Sequence, residues 1–273
     1  MNKIRSSREG MAHAGRRSLV VVALLLPVLA SATVHLSPAE TRRIGKKIWQ
    51  NECNGTVAGL TSWNAGENFA SLGIGHFIWY PKGVRGPFEE SFPKFVSFAG
   101  ARGLSLPEVV RQRDACPWSS RTEFTQASQT EQMKQLRQFL AATVDLQAEF
   151  LVERLQQALP KMLAEAPASE RARVQQQFDR VAGSPMGCYA LVDYVNFKGE
   201  GVLATERYAG KGWGLLQVLE TMSHENTGRE AVKSFAESAK KVLTDRVRNS
   251  PPERHESRWL PGWLARIDTY VQN

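Results

Sequence analysis

NECNGTVAGLTSWNAGENFASLGIGHFIWYP, residues 51–81, decides how this chain is read. Upstream of it, Ser37-Pro38-Ala39-Glu40 has the form of a capping box with proline at the first helical position, so a helix starts there. Ile44 and Ile48 fall on one face of that helix, and Asn54-Gly55 supplies the residues that end one. Glu52 therefore sits in the last turn. Beyond it, Leu60–Trp63 and Phe69–Ile74 are short strand candidates on either side of Asn64-Ala65-Gly66-Glu67, a loop with hairpin chemistry. The stretch predicts a helix end, then a hairpin folded back past Glu52.

Working outward, residues 81–125 begin rich in glycine and proline and predict an ordered surface insertion with a short helix near Leu106–Arg113. From Gln129 to Leu163 the apolar positions Met133, Leu136, Leu140, Val144, Leu151 and Leu155 recur at helical spacing, giving one or two long helices with Pro160 near the end. Further helices are predicted over Arg171–Val181, Leu215–Met222, Ala231–Arg248 and Trp263–Val271. Tyr189–Phe197, YALVDYVNF, is nearly apolar all round and predicts a buried central helix. The expected class is α+β, mostly helical, with a small hairpin lobe at about 50–80 and a helical lobe at about 126–273.

Residues 1–32 are not expected to belong to that globule. Lys3, Arg5, Arg8, Arg16 and Arg17 precede an apolar run from Leu19 to Leu29, and Ala30-Ser31-Ala32 has the small residues of a cleavage site. The run is shorter than the roughly 20 residues of a membrane span. The reading is a signal peptide with Met1 or Met11 as start, and hence a periplasmic or secreted protein. The alternative is an uncleaved anchor in the inner membrane.

Without that segment 30 Lys and Arg face 26 Asp and Glu, a mildly basic balance with no cationic run, which argues against a nucleic-acid partner. Three cysteines remain. Cys53 and Cys116 lie in loop-like contexts and are expected to pair, with Cys188 left as a buried thiol. Their spacing fits no zinc pattern, so no metal and no cofactor are expected.

Three separated stretches, 52–76, 190–200 and 249–254, carry a resemblance. Glu52 closes a helix; Ser71-Leu72-Gly73-Ile74-Gly75-His76 ends a strand opposite it; and Ala190–Glu200, ALVDYVNFKGE, is a buried helix ending in Gly-Glu. Near the C-terminus, Asn249–Arg254 reads NSPPER. Together these resemble the phage-type lysozymes of the lysozyme-like superfamily, in which a glutamate closes the first helix, a Thr-x-Gly-x-Gly-His segment faces it, and an Asn-x-x-Pro-x-Arg turn returns an arginine. A weaker echo, Gly210–Val218 (GKGWGLLQV), resembles the Gly-x-Gly-Leu-Met-Gln signature of goose-type lysozymes and lytic transglycosylases. The glutamate of those enzymes would fall at Val195 or Asn196 here, with Glu200 and Glu206 nearby.

The resemblance implies a two-lobe fold and cleavage of peptidoglycan between N-acetylmuramic acid and N-acetylglucosamine, by a monomer. That reaction needs a carboxylic acid to protonate the leaving oxygen and a second group to manage water or the oxocarbenium-like state. Carried over residue by residue, Glu52 is the acid, Ser71 stands for the threonine that positions a water, His76 is a supporting residue, and Arg254 reaches Glu52. One departure matters. The aspartate six residues before the threonine is Ala65 here, which leaves Glu67 either as a displaced second acid or as an exposed turn residue. Glu200 and Trp63 complete the expected site; Trp63, Trp79, Trp213, Trp259 and Trp263 either stack on sugars or fill the core. The rivals to a hydrolase are a lytic transglycosylase working with one acid and a non-catalytic wall-binding protein.

Overall fold

The first helix starts and stops as its sequence dictates. Helix α1 spans Pro38–Cys53; the Ser37 hydroxyl accepts from the Glu40 amide, and the Glu40 carboxylate accepts from the Ser37 amide at 2.8 Å. Asn54 closes it in the left-handed region at φ 52°. This comes from a computed structural model that describes residues 34–272 apart from 35, 87, 112, 113 and 224. The segment read as a signal peptide lies outside the described residues.

The hairpin follows. Strands β1 (Thr61–Ser62), β2 (Ala70–Leu72) and β3 (Phe77–Trp79) form an antiparallel sheet in that order, with Ser62 opposite Ser71 and Ser71 opposite Ile78. The expected pair is β1–β2; the third strand is an addition. It forms because Gly73 and His76, at φ 72° and 47°, turn the chain back within four residues. The glycines also permit close approach. A Cβ on Gly73 would meet Gln147 Oε1 at 2.3 Å, and one on Gly75 would meet the Phe77 ring at 2.6 Å.

Helices α2 (Phe92–Ala101) and α3 (Arg121–Gln126) come next, then α4 (Glu131–Ala142) and α5 (Val144–Glu165). The segment expected to be a surface insertion instead supplies core: Phe92 and Phe95 are fully buried, and Phe95 stacks on Phe77 with centroids 5.3 Å apart. Apolar positions one turn apart, Phe92, Phe95 and Phe98–Ala99, give α2 its buried face. Over the described residues of the stretch expected to form a short helix near Leu106–Arg113 no helix is formed; residues 108–111 make a turn.

Helix α5 holds the hairpin and the helical layers together, packing against α1 and α2 and against α6 (Arg171–Ala182) and α7 (Pro185–Lys198). The fit to α1 is tight: a Cβ on Gly45 would lie 3.0 Å from that of Ala148. Helix α7 is the buried central helix that its composition predicts, with every residue from Gly187 to Tyr194 buried. A two-stranded hairpin, β4 (Arg207–Tyr208) and β5 (Lys211–Gly212), leads into α8 (Leu215–Thr221), α9 (Gly228–Asn249) and α10 (Leu260–Asp268). The protein is thus mostly helical with a small antiparallel sheet. No helix among the described residues is long and apolar enough to cross a membrane.

The expected Cys53–Cys116 disulfide is absent; Cys53, Cys116 and Cys188 are buried free thiols. Cys53 ends α1 and directs its Sγ at the Gly73 carbonyl, 3.6 Å away. Cys116 instead forms a parallel bridge with Pro81 and donates its amide to the Tyr80 carbonyl at 2.9 Å. Burial pushes Cys53 and Cys116 up to about 12 and Cys188 to about 11, so none is a nucleophile near neutral pH. Alkylation of the unreduced, denatured protein should therefore count three thiols by mass, and two blocked cysteines would contradict the fold described here.

Candidate active site

Glu52 meets three elements. Its Oε1 accepts from Arg266 Nη2 of α10 at 2.5 Å and from Asn196 Nδ2 of α7 at 3.4 Å; its Oε2 lies 3.3 Å from His76 Nδ1. The carboxylate is enclosed but reachable, with a side chain 13% exposed. His76 arrives through the glycine turn, which is pinned from behind: Gln147, fully buried in α5, accepts from the Ile74 amide at 2.8 Å and donates to the Leu140 carbonyl. Burial lowers the His76 pKa, Glu52 opposes this, and Arg266 adds to the lowering. Burial thus favours the neutral imidazole, with its Nδ1 set against the Glu52 carboxylate.

Arg266 is anchored on its far side by Asp193. Its Nε and Nη2 donate to the two Asp193 oxygens at 2.8 Å each, and Tyr270 donates to Asp193 Oδ2 at 2.7 Å. Asn51, next to Glu52 in α1, donates to the Tyr189 hydroxyl and to Asp193 Oδ1. Burial works against the charge on Arg266, but Asp193 and Glu52 outweigh it and raise its pKa well above the ordinary value. Burial, then Asp193, raise Tyr270 as well, keeping its hydroxyl a donor.

A second cluster adjoins the first. The Phe197 ring lies 4.1 Å from the Arg266 guanidinium on one side, while Lys198 Nζ lies 3.8 Å from Phe197 and 3.4 Å from Trp263. Arg246 of α9 stands 4.0 Å from the Trp213 ring and 5.0 Å from Trp263, held by both oxygens of the buried Glu256 at 2.8 Å. Tyr208 donates to the same carboxylate. Arg246 also lines a groove of about 440 Å3 bordered by Gly210–Gly212, Arg207, Gln217 and Asp245. Another groove, about 480 Å3, lies between α2 and α5 and reaches Glu200; Glu52 lines neither.

The other expected site residues separate from this centre. Arg254 is exposed in the turn Pro252–Arg254, its guanidinium 5.9 Å from the Tyr208 ring; the arginine on Glu52 is Arg266, twelve positions later in α10. The NSPPER motif therefore does not deliver the contact expected of it. Glu67 accepts from Asn64 at 3.0 Å within its own turn, and burial raises its pKa against that hydrogen bond. Ser71 is buried in β2, where its carbonyl accepts from Ser62. Trp63 is core, packed on Phe124 and donating to the Glu67 carbonyl at 2.9 Å. Glu200 pairs with Lys161 at 2.8 Å. Among the described residues no hydrogen bond or ion pair joins Glu67, Ser71, Trp63, Glu200 or Arg254 to Glu52. Sequence reasoning missed Asp193, Asn196, Lys198 and Arg266. An aspartate in an otherwise apolar helix was a usable signal, since a buried carboxylate needs a cation or donors.

No protein-family model, curated protein or solved structure matches this chain.

Arg266→Met leaves Asp193 buried without its cation, and should cost about 3–5 kcal/mol in a urea melt at neutral pH. Lys198 predicts the opposite sign. Burial first, then Arg246 and Arg266, lower its pKa from 10.5 to about 6. Between those values the unfolded chain binds a proton that the folded one does not, so stability rises with pH from about 6 to about 10.5. Lys198→Met removes this linkage. The variant should be more stable than the parent near pH 7, on the order of a few kcal/mol, and the gap should close by about pH 10.5.

Proposed function

We propose that the protein is a peptidoglycan-cleaving glycosidase on a lysozyme-like fold, with Glu52 as the general acid. One observation carries this: a half-enclosed glutamate at a helix end, gripped by an arginine and faced by the His76 end of a glycine turn. A proton donor to a glycosidic oxygen must be fixed in direction yet open on one side, and both conditions are met. Asp193, which accepts from two nitrogens of the same guanidinium, fixes Arg266 and through it the direction of the Glu52 carboxyl.

The arrangement favours a single-acid version of the chemistry. Ala65 stands where the resemblance calls for an aspartate, Glu67 is turned to Asn64, and both oxygens of Asp193 are occupied by Arg266. A lytic transglycosylase works within that limit: the acid protonates the leaving oxygen, then as carboxylate takes the proton of the sugar's own hydroxyl as it closes an anhydro ring. A hydrolase would have water make that attack.

The test is digestion of purified peptidoglycan with mass analysis of the released ends. Reducing ends mark hydrolysis, and ends one water lighter mark the transglycosylase. Glu52→Gln should abolish release of either while leaving the fold intact by circular dichroism. Substantial release by a well-folded Glu52→Gln variant sinks the assignment, and no release by the parent leaves the non-catalytic wall-binding reading.

A further inference from the structure

Lys198 is an amine without a counter-ion of its own. It ends α7 with 9% of its surface exposed, and no described residue accepts a hydrogen bond from Nζ or forms an ion pair with it. Its contacts are the faces of Phe197 and Trp263. The nearby carboxylates are claimed by others: Glu256 by Arg246 and Tyr208, and Glu52 by Arg266. The two rings that flank Nζ are themselves only partly buried, so the cluster borders the surface.

We propose that Lys198, between the Phe197 and Trp263 rings, receives a carboxylate of the ligand. This deepens the reading above and rests on it. In a peptidoglycan strand the carboxylate is the lactyl group of a muramyl residue or an acid of the peptide attached there. Two features fit that class. The partly exposed Phe197 and Trp263 side chains put apolar surface beside Nζ, on which a lactyl methyl can lie. The cluster is also contiguous: Phe197 is shared between Lys198 and the Arg266 that holds Glu52, while Trp263 is shared between Lys198 and the Arg246 that lines the 440 Å3 groove.

The electrostatics say when the site acts. Arg246 of α9 and Arg266 of α10 repel a proton on Lys198, while Glu256 and Glu52 attract it, and burial tips the balance to the neutral amine with a pKa near 6. An incoming carboxylate supplies the missing counter-charge, so the amine takes up a proton as the ligand binds.

Calorimetry on the full mature chain tests this with three probes: a chitobiose, the N-acetylglucosaminyl-N-acetylmuramic acid disaccharide, and the same disaccharide carrying an alanyl-glutamate peptide on the lactyl group. Near pH 7.5, one or both anionic probes should bind at least about tenfold more tightly than chitobiose, the size of one charge-assisted hydrogen bond. Binding should take up close to one proton, read from the dependence of heat on buffer ionisation. Lys198→Met should erase both the preference and the proton uptake, with circular dichroism reporting that the variant is folded. A preference for only one anionic probe assigns the carboxylate to the lactyl or the peptide source. Equal affinity for neutral and anionic probes, or a preference untouched by Lys198→Met, overturns the Lys198 assignment and spares the glycosidase reading. Failure of every probe to bind overturns both.

Discussion

Arg266 carries one positive charge and faces two carboxylates, both withdrawn from water: Asp193 at 0% exposure and Glu52 at 13%. Desolvating three ions is expensive, and the structure tolerates it because nearly every lone pair has a donor. Both nitrogens facing Asp193 are used, Tyr270 adds a third bond, and Asn51 closes the side toward α1. This contact joins the end of the first helix, the middle of the central helix and the last helix, positions 52, 193 and 266. The final helix buries only Ile267 within its own length, with Tyr270 just beyond, so polar anchoring takes a share of the work that apolar area does elsewhere.

The opposite wall is set by geometry rather than charge. Gly73 and Gly75 allow Gln147 and Phe77 to approach within distances that any Cβ would forbid, and Gln147 then holds the turn to α5 through the Ile74 amide. His76 follows in a left-handed conformation that a non-glycine residue adopts only when its surroundings over-determine it. Here they do, since the amide of His76 bonds back to the Gly73 carbonyl and its ring reaches Glu52.

These two walls differ in how much of them the sequence exposes. The capping box at Ser37, the hairpin around NAGE, the helical period of residues 129–163 and the apolar run of α7 were all legible, because each is a local pattern. So was the juxtaposition of Glu52 with SLGIGH, since a short connection forces the turn back across the helix end. The partner of Glu52 was not legible. Arg254 and Arg266 both follow α9 and differ by twelve positions; only the packing of α10 onto α9, which sets Arg266 against Asp193 of α7, decides which one arrives. The phenylalanines of α2 were misread for a related reason: glycine and proline on either side marked loops, and the apolar spacing between them was the stronger signal. The two cysteines failed because loop-like context says nothing about where a sulfur points.

The charges around the site can be followed as protons. Arg246 and Arg266 are two permanent cations, matched by Glu256 and Asp193, each held through both oxygens. That leaves Glu52 and Lys198, one potential anion and one potential cation, separated by Asn196 and the Phe197 ring. Burial holds Lys198 down to a pKa of about 6, so near neutral pH the amine is uncharged. Under the proposal above, a carboxylate arriving there would bring its own negative charge and draw one proton to the amine, leaving the net charge of the cluster unchanged. A resident carboxylate in the same place would hold that proton permanently and close the vacancy that an anionic ligand could fill; Lys198 stays receptive because Glu256 is spent on Arg246, and Glu52 and Asp193 are spent on Arg266.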